Sequence, residues 1–417
     1  MDMPSVVGFK GLNNRNDPTA AGLQWQLQAD NALVDNAGYL VRRPGYASFL
    51  ANVADAFGTK DGRLWIVTTS GSLFEVFSDA TYRLRAVGFS GAPFQWTELG
   101  YATFAMSETT AWTIYPKRVT SWGIPIVDAP TVTAIGGSFA AGDYAVACIL
   151  ATADGRLGGC RGTTQIALSA AQGLTVTSTP VAGYTTRVYL SQPDGAQLYW
   201  AGTLTAGSLT LTSLPTLSVP LSTQALYPPP QGSVIGAYTN RMVVGVWEPE
   251  SDRSVLYYSR PDAPHWFALA TDYQMVNGKI TLLAGVAGGL LIGTDRALWL
   301  EAPGTPLQKL ANYGVLPGTL AWLDAGQVAF WTTRGLCVYP PFTNLTDAAL
   351  SPDNRSLASG AVLYHEGSAY YVTAQRGQIR PQVPHDPYVP LPVTISTILT
   401  GTAYGVATAT ADLTDTS

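Results

Sequence analysis

The chain has 417 residues and a net charge of −5, and only 12% of its residues are charged while 11% are aromatic. Disordered chains show the opposite balance, so the composition indicates a folded protein. The 23 lysines and arginines are scattered along the chain, which argues against tight binding of nucleic acid through a basic surface. The 42 glycines and 28 prolines predict packed β-structure with many tight turns, and the low charge indicates that partners cover much of the surface.

Residues 1–50 form a predicted extended segment that joins the first sheet. The segment has no basic stretch followed by an apolar run, so we expect no secretory signal peptide. Its first part, GFKGLNNRNDPTAAG (8–22), contains a turn, and its second part ends with Arg42-Arg43-Pro44-Gly45. Two arginines are too few for phosphate binding. We expect them to pair with acids or carbonyls where the segment enters the sheets, or at a subunit contact.

A pattern of apolar strand, polar turn and aromatic strand repeats through residues 51–124 and 228–376. The copies are LWIVTTSGSLFEVF (64–77), TFAMSETTAWTIYP (103–116), MVVGVWEPESDRSVLYYS (242–259), LLIGTDRALWLEA (290–302), AFWTTRGLCVYP (329–340) and a weaker one at 361–374. Neighbouring copies are offset by about 40 residues, which is the length of a four-stranded propeller blade. The sequence therefore predicts an all-β propeller of about six blades.

Residues 125–227 interrupt this repeat. The interruption is rich in short alternating strands joined by Asp-Gly turns, and its length suits an immunoglobulin- or fibronectin-like β-sandwich. We therefore expect a sandwich inserted after the second blade.

Residues 377–417 form a third predicted region. Five prolines between 380 and 392 indicate an extended strap, and the Thr- and Ala-rich remainder is either disordered or a strand that completes a neighbouring subunit. Elsewhere, the most apolar window, 280–293, is too short and too glycine-rich for a membrane helix. We expect it to form two buried strands, and we expect no membrane span.

Few residues carry recognisable chemistry. The three histidines (His265, His365, His385) and three cysteines (Cys148, Cys160, Cys337) show no metal-binding spacing, and no nucleophile or phosphate-loop motif occurs. The sequence therefore predicts no catalytic, cofactor-binding or metal residues, and a protein that is not an enzyme. A carboxylate pair for glycoside hydrolysis stays open, because 28 acids could converge from different blades.

The N-terminal motifs resemble the opening of the tail nozzle proteins (tail tubular protein B) and related tail hub proteins of short-tailed bacteriophages. The residues that carry the resemblance are Gly11, Leu12, Asn13, Asn14, Asp17 and Pro18, followed by Asn31, Gly38, Leu40, Arg42, Arg43, Pro44 and Gly45. The segment TNRMVVGVWEPES…VLYYSRPDAPHWF (239–267) is similar to a blade of the same proteins. This chain is much shorter than the larger nozzle proteins.

The resemblance implies a structural virion protein, assembled in the host cytoplasm. It would form a homohexameric ring below the portal and the head-to-tail adaptor, in contact with other tail proteins or fibres. Genomic DNA would pass through the lumen during ejection without sequence-specific binding. The acidic composition agrees with this role, since like charge lets phosphates slide past a wall.

Two other functions stay open. The chain could be a receptor- or glycan-binding propeller at the tail tip, with Tyr184, Tyr189, Tyr199 and Trp200 of the insertion as contacts, although strand alternation places most of them in a core. It could also be a propeller glycosidase.

Overall fold

The computed structural model describes residues 11–12, 25–26, 32–34, 40–42, 52–79, 81–91, 93–323, 326–346, 357–365, 368–376, 394–397 and 407–410. These ranges contain β-strands and no α-helix. The chain divides into two compact units. The first contains Met1–Asn52, Trp247–Ser254 and Val276–Ser417, and the second contains Val53–Val246 and Val255–Met275.

Four short strands lie in the N-terminal segment. Strand β1 (Gly11–Leu12) pairs in parallel with β2 (Trp25–Gln26), and β3 (Ala32–Val34) pairs antiparallel with β4 (Leu40–Arg42). Arg42 is thus the last residue of β4 and lies opposite Ala32. Of the other residues that carry the resemblance, Gly11, Leu12 and Leu40 lie in these strands. The rest lie outside the described residues: Asn13, Asn14, Asp17, Pro18, Asn31, Gly38, Arg43, Pro44 and Gly45.

The second unit begins with two four-stranded antiparallel sheets, each in chain order. Their strands are β5 (Val53–Gly58), β6 (Leu64–Thr68), β7 (Ser72–Val76), β8 (Tyr82–Val87), β9 (Gln95–Leu99), β10 (Ala102–Met106), β11 (Ala111–Ile114) and β12 (Val119–Ser121). Alternate residues of facing strands bury one shared core between the two sheets, which includes Trp65, Leu73, Ala105 and Ile114. Each sheet has the up-and-down order of a propeller blade.

Seven strands then form two sheets that share a core. The strands are β13 (Thr131–Gly136), β14 (Gly142–Ala151), β15 (Thr164–Leu168), β16 (Gln172–Thr177), β17 (Thr185–Ser191), β18 (Leu198–Thr203) and β19 (Ser208–Leu211). One sheet has the order β13-β16-β19 and the other β15-β14-β17-β18. Tyr144, Val146, Leu174 and Val188 lie in the shared core. This two-layer region falls inside the predicted insertion, and its assignment to the immunoglobulin or fibronectin class stays a prediction.

The second of these sheets is covered on both faces. Ala147, Ile149 and Tyr189 point away from the shared core and pack against Leu157 and Leu221. Strand β14 is therefore buried along almost its whole length, which explains why its sequence is continuously apolar instead of alternating.

A five-stranded sheet follows. Its strands are β20 (Val234–Tyr238), β21 (Arg241–Glu248), β22 (Arg253–Arg260), β23 (Ala263–Phe267) and β24 (Tyr273–Asn277). Met242, Val244 and Phe267 pack with Phe104 and Trp122 in a single core of the second unit. The second blade-type sheet and the five-stranded sheet thus share one core in that unit.

The first unit contains three further sheets. Their strands are β25 (Ile280–Val286), β26 (Gly289–Thr294), β27 (Leu298–Glu301), β28 (Gln308–Ala311), β29 (Ala321–Trp322), β30 (Val328–Thr332), β31 (Gly335–Tyr339), β32 (Thr343–Asn344), β33 (Leu357–His365), β34 (Ser368–Arg376), β35 (Thr394–Thr397) and β36 (Ala407–Thr410). The apolar window 280–293 forms the paired strands β25 and β26, as expected.

The described part of the C-terminal tail forms strands. Residues 394–397 and 407–410 pair with each other and with β34 of the same chain. That the tail completes a neighbouring subunit stays a prediction. The proline-rich strap at 380–392 lies outside the described residues.

The repeat found in the sequence corresponds to sheet hairpins. Its first five copies fall on β6–β7, β10–β11, β21–β22, β26–β27 and β30–β31, which are the second and third strands of their sheets. The weaker copy falls on β33–β34, the first pair of its sheet. The predicted all-β propeller class is confirmed, with six blade-type sheets in the described ranges.

Two of these hairpins each contain a buried threonine that closes the turn in the same way. Thr294 Oγ1 accepts hydrogen bonds from the amides of Arg296 (3.2 Å) and Ala297 (3.0 Å). Thr332 Oγ1 accepts one from the Arg334 amide at 3.2 Å and donates to the Gly335 carbonyl at 2.8 Å. Both side chains are fully buried. The polar turn of the repeat is therefore held by a hydroxyl group inside the sheet.

Candidate interaction surfaces

Two turns of the second blade-type sheet lie at the same end of that sheet. Gly100 and Tyr101 connect β9 to β10, and Gly100 takes a left-handed backbone with a φ of 61°, which suits glycine. The turn from Tyr115 to Arg118 connects β11 to β12 and is closed by a 2.8 Å bond from the Tyr115 amide to the Arg118 carbonyl. Alternate turns of an antiparallel meander share one end, so the two turns present their side chains together.

These turns build an aromatic and cationic surface. The rings of Tyr101 and Tyr115 are 5.9 Å apart and tilted by 42°, and the Arg118 guanidinium lies 4.8 Å from the centre of the Tyr115 ring. Tyr101 is 78% exposed and Lys117 is also exposed. We name the set Tyr101, Tyr115, Lys117, Arg118, Asp154 and Arg156 the loop patch.

Asp154 connects this surface to the inserted sheets. Its Oδ2 accepts bonds from Arg118 Nη1 at 2.9 Å and from Arg156 Nε at 3.3 Å. The Thr152 hydroxyl donates to Oδ1 of the same carboxylate, and the Arg156 amide donates to Thr152 Oγ1 at 3.1 Å. The predicted Asp-Gly turn therefore places a fixed carboxylate between two arginines.

Asp154 and Arg118 both keep their charges near neutral pH. The Thr152 hydroxyl, with help from Arg118 and Arg156, holds the pKa of Asp154 well below its usual range. The hydrogen bond to Asp154 raises the pKa of Arg118. Both groups are thus charged at any pH near neutrality, which favours a fixed orientation of the guanidinium over the Tyr115 ring.

His265 and Trp266 support the loop patch from the third blade-type sheet. Trp266 Nε1 donates to the Leu157 carbonyl at 2.9 Å, and the two rings lie 4.8 Å apart. His265 Nε2 is buried and has no hydrogen-bond partner among the described residues. Burial, with the nearby Arg156 charge, lowers the pKa of His265 to about 4. The imidazole is therefore neutral and packs as an aromatic ring.

The aromatic residues that the sequence singled out have different environments. Tyr189 is fully buried in the layer that covers the outer face of its sheet, which agrees with the core position that strand alternation indicated for most of these residues. Tyr184 and Tyr199 are half-buried. Trp200 is 42% exposed, with Arg187 5.8 Å from its ring and Nε1 bonded to the Gly202 carbonyl at 2.9 Å.

Sequence reasoning missed the loop patch. Its members come from turns that lie far apart in the sequence, and no single stretch contains a recognisable motif. The available signals were a Gly-Tyr turn at 100–101 and the Tyr-Pro-Lys-Arg turn at 115–118, both rich in residues used for ligand contact.

A second exposed surface lies on the outer edge of the first blade-type sheet. Strand β8 ends the sheet, and Tyr82, Leu84 and Val87 on it are 55%, 53% and 64% exposed. Arg83 is exposed between them, and the outer strand β28 exposes only Gln308 and Lys309. An apolar edge of this kind is typical of a protein contact.

The described residues offer no group of three or more His, Cys, Asp and Glu side chains that could hold a metal ion. Cys148, Cys160 and Cys337 are buried, and burial raises the pKa of Cys148 to about 11. His365 ends β33, and His385 lies outside the described residues. Within the described ranges, no helix has the length and apolar character to cross a membrane.

No family model matches the sequence, and no curated protein matches it. Among solved structures, the chain is similar to Hsv2 of Kluyveromyces lactis, with 8% identity, a TM-score of 0.33 and coverage of 85% of this chain and 96% of that one. It is also similar to apo AztD from Citrobacter koseri (13%, TM-score 0.34, 86% of each chain) and to the Dos1 propeller (8%, TM-score 0.33, 82% and 79%). These TM-scores are below 0.5, so the blade assignment rests on the strand pairing.

Proposed function

We propose that the protein is a binding protein that recognises a glycan or a glycan-bearing receptor through the loop patch, without catalysis. The observation that carries the proposal is the exposed Tyr101 ring, packed beside Tyr115 and the fixed Arg118 guanidinium. The apolar face of a sugar ring packs on an exposed aromatic ring, while fixed polar groups bond its hydroxyls. The loop patch offers both kinds of contact.

The setting that we propose is a bacteriophage tail. The N-terminal motifs resemble those of tail nozzle proteins, and a tail protein of this kind meets bacterial surface polysaccharide during adsorption. The protein would then be a virion component of the tail tip.

Replacing Tyr101 with alanine tests the proposed function. We expect the Y101A variant to bind a bacterial surface polysaccharide at least about 10-fold more weakly than the unchanged protein, because one aromatic contact is lost. Isothermal titration calorimetry with purified lipopolysaccharide O-chain or capsular polysaccharide gives the affinity. Tyr273 is 46% exposed on another sheet, so Y273A is the matched control. Equal affinities of Y101A and Y273A, or no binding by the unchanged protein, would contradict the proposal.

We propose assembly into a ring as a second function, because the apolar outer edge at β8 favours it. In the nozzle hypothesis, copies of this chain form a homohexamer below the portal and adaptor around the DNA path. An exposed strand edge with Tyr82 and Leu84 suits contact with a second copy. The low fraction of charged residues suits large permanent contacts.

A charged residue on β8 tests the assembly. We expect L84K to shift the protein from oligomer to monomer in sedimentation velocity at micromolar concentration, since a buried lysine at the contact would lose its hydration. Q308K, on the outer strand β28, is the control and keeps the oligomer. A monomeric unchanged protein, or an oligomer that L84K leaves intact, would rule out this contact.

A further inference from the structure

The charges of the loop patch are unequal, and this bears on its ligand. Lys117, Arg118 and Arg156 carry three positive charges, and Asp154 carries one negative charge. The whole chain has a net charge of −5, so this surplus is local. We propose that the loop patch binds an acidic carbohydrate, with the sugar ring on Tyr101 and the carboxylate or sulfate group against Arg118 and Lys117. This inference rests on the proposed glycan-binding function and deepens it.

Arg118 has the geometry for this contact. Its Nη1 bonds Asp154 at 2.9 Å, and the side chain is still 49% exposed. A guanidinium carries five N–H donors in one plane, so further donors face solvent and can bond the two oxygens of a carboxylate. The Tyr115 ring, 4.8 Å away, and Asp154 together hold that plane in place. The anion would thus meet a guanidinium that needs little reorganisation.

The Tyr101 ring lies beside this anion position. Its centre is 5.9 Å from that of Tyr115, on which the guanidinium packs. An acidic pyranose carries its anionic group directly on the ring or one atom away from it. A sugar on the Tyr101 ring can therefore direct its anion toward Arg118 without a spacer.

Asp154 makes the loop patch more suitable for an acidic sugar than for a polyphosphate. Its carboxylate lies between two arginines and repels a dense row of phosphates, but it accepts hydrogen bonds from sugar hydroxyls. An acidic oligosaccharide carries several free hydroxyls between its charges, which can donate to the Asp154 carboxylate. We therefore favour an acidic sugar over nucleic acid, whose binding depends on several phosphate contacts.

Matched acidic and neutral sugars test the inference. The probes are trigalacturonate and its methyl ester, and 3′-sialyllactose and lactose, titrated into the full chain by calorimetry. We expect at least one acidic probe to bind about 10-fold or more tightly than its neutral counterpart, in line with one charge-assisted contact. R118Q should remove this preference, and K117Q should reduce it.

R260Q is the matched control. Arg260 is 50% exposed and pairs with Asp272 at 3.8 Å, so it is an arginine of similar exposure beside an aspartate, but on the five-stranded sheet. It should keep the preference for the acidic probe. Unchanged unfolding temperatures of R118Q and R260Q show that both variants are folded.

The outcomes distinguish failure of the acidic-ligand inference from failure of glycan binding. Equal affinity for acidic and neutral sugars would overturn the acidic class and leave glycan binding intact. No binding to any of the four sugars would overturn the acidic class, while the polysaccharide titration of Y101A decides glycan binding separately. Tighter binding of a 15-nucleotide single-stranded DNA than of either acidic sugar, with a steep salt dependence, would also overturn the inference.

Discussion

His265 is a titratable residue used as a packing group. Its ring lies against Trp266, its Nε2 atom is buried without a partner among the described residues, and Arg156 and Asp154 are the charged groups that act on it. Burial and the Arg156 charge favour the neutral ring, and Asp154 opposes them more weakly. The folded protein therefore resists protonation of this histidine, whereas the unfolded chain does not.

This difference predicts an acid-sensitive stability. The folded pKa of about 4 lies below the ordinary value of 6.5, so the unfolded state binds more protons between these values. The stability is fully present above pH 6.5 and is lost as the pH falls toward 4. We expect the free energy of unfolding from urea titration to fall by about 2 kcal/mol more in the unchanged protein than in H265F between pH 7.5 and 4.5. The same fall in H265F would refute the assignment.

The hairpins show how an element is fixed by one side chain. Thr294 and Thr332 occupy the same place at the end of the second strand, and both bond the backbone of the following turn. The sequence indicated a polar turn between two apolar strands at these places. It did not indicate that the threonine hydroxyl is inside the sheet, because burial depends on the neighbouring sheets.

Removing the hydroxyl should weaken the hairpin. Thr332→Val keeps the shape of the side chain but leaves the Arg334 amide and the Gly335 carbonyl without this partner. We expect T332V to lower the free energy of unfolding by about 1–3 kcal/mol in urea titration. Thr177 is exposed on a strand of the insertion, and T177V should stay within about 0.5 kcal/mol of the unchanged protein. Equal effects of both variants would show that the buried hydroxyl is not important for the hairpin.

For the whole molecule, sequence patterns within one hairpin predicted the structure better than patterns that depend on packing between distant segments. The repeat predicted the blade-type sheets, because each central hairpin is a continuous stretch whose alternation is visible in the sequence. The missing repeats predicted an insertion at 125–227, and the seven strands of the two-sheet region lie within these bounds. Alternation indicated a core position for most of the aromatics of this region, but it did not show that Leu157 and Leu221 cover Tyr189 on the outer face of its sheet.

The loop patch could not be predicted for a related reason. Residues 101, 115–118 and 154–156 meet only after the second blade-type sheet and the insertion have packed together. Alternation and turn propensity describe neighbours in the chain, and they contain no information on which turns converge. The exposed Tyr101 was therefore one aromatic among many until its neighbours were known.

The position of the loop patch on turns has an evolutionary consequence. Tyr101 and Lys117 are exposed and belong to none of the buried cores of their unit, so exchanges at these positions cost little in folding. Under the proposed glycan-binding function, a lineage could therefore change its ligand by point substitutions at strand ends while its sheets stay unchanged.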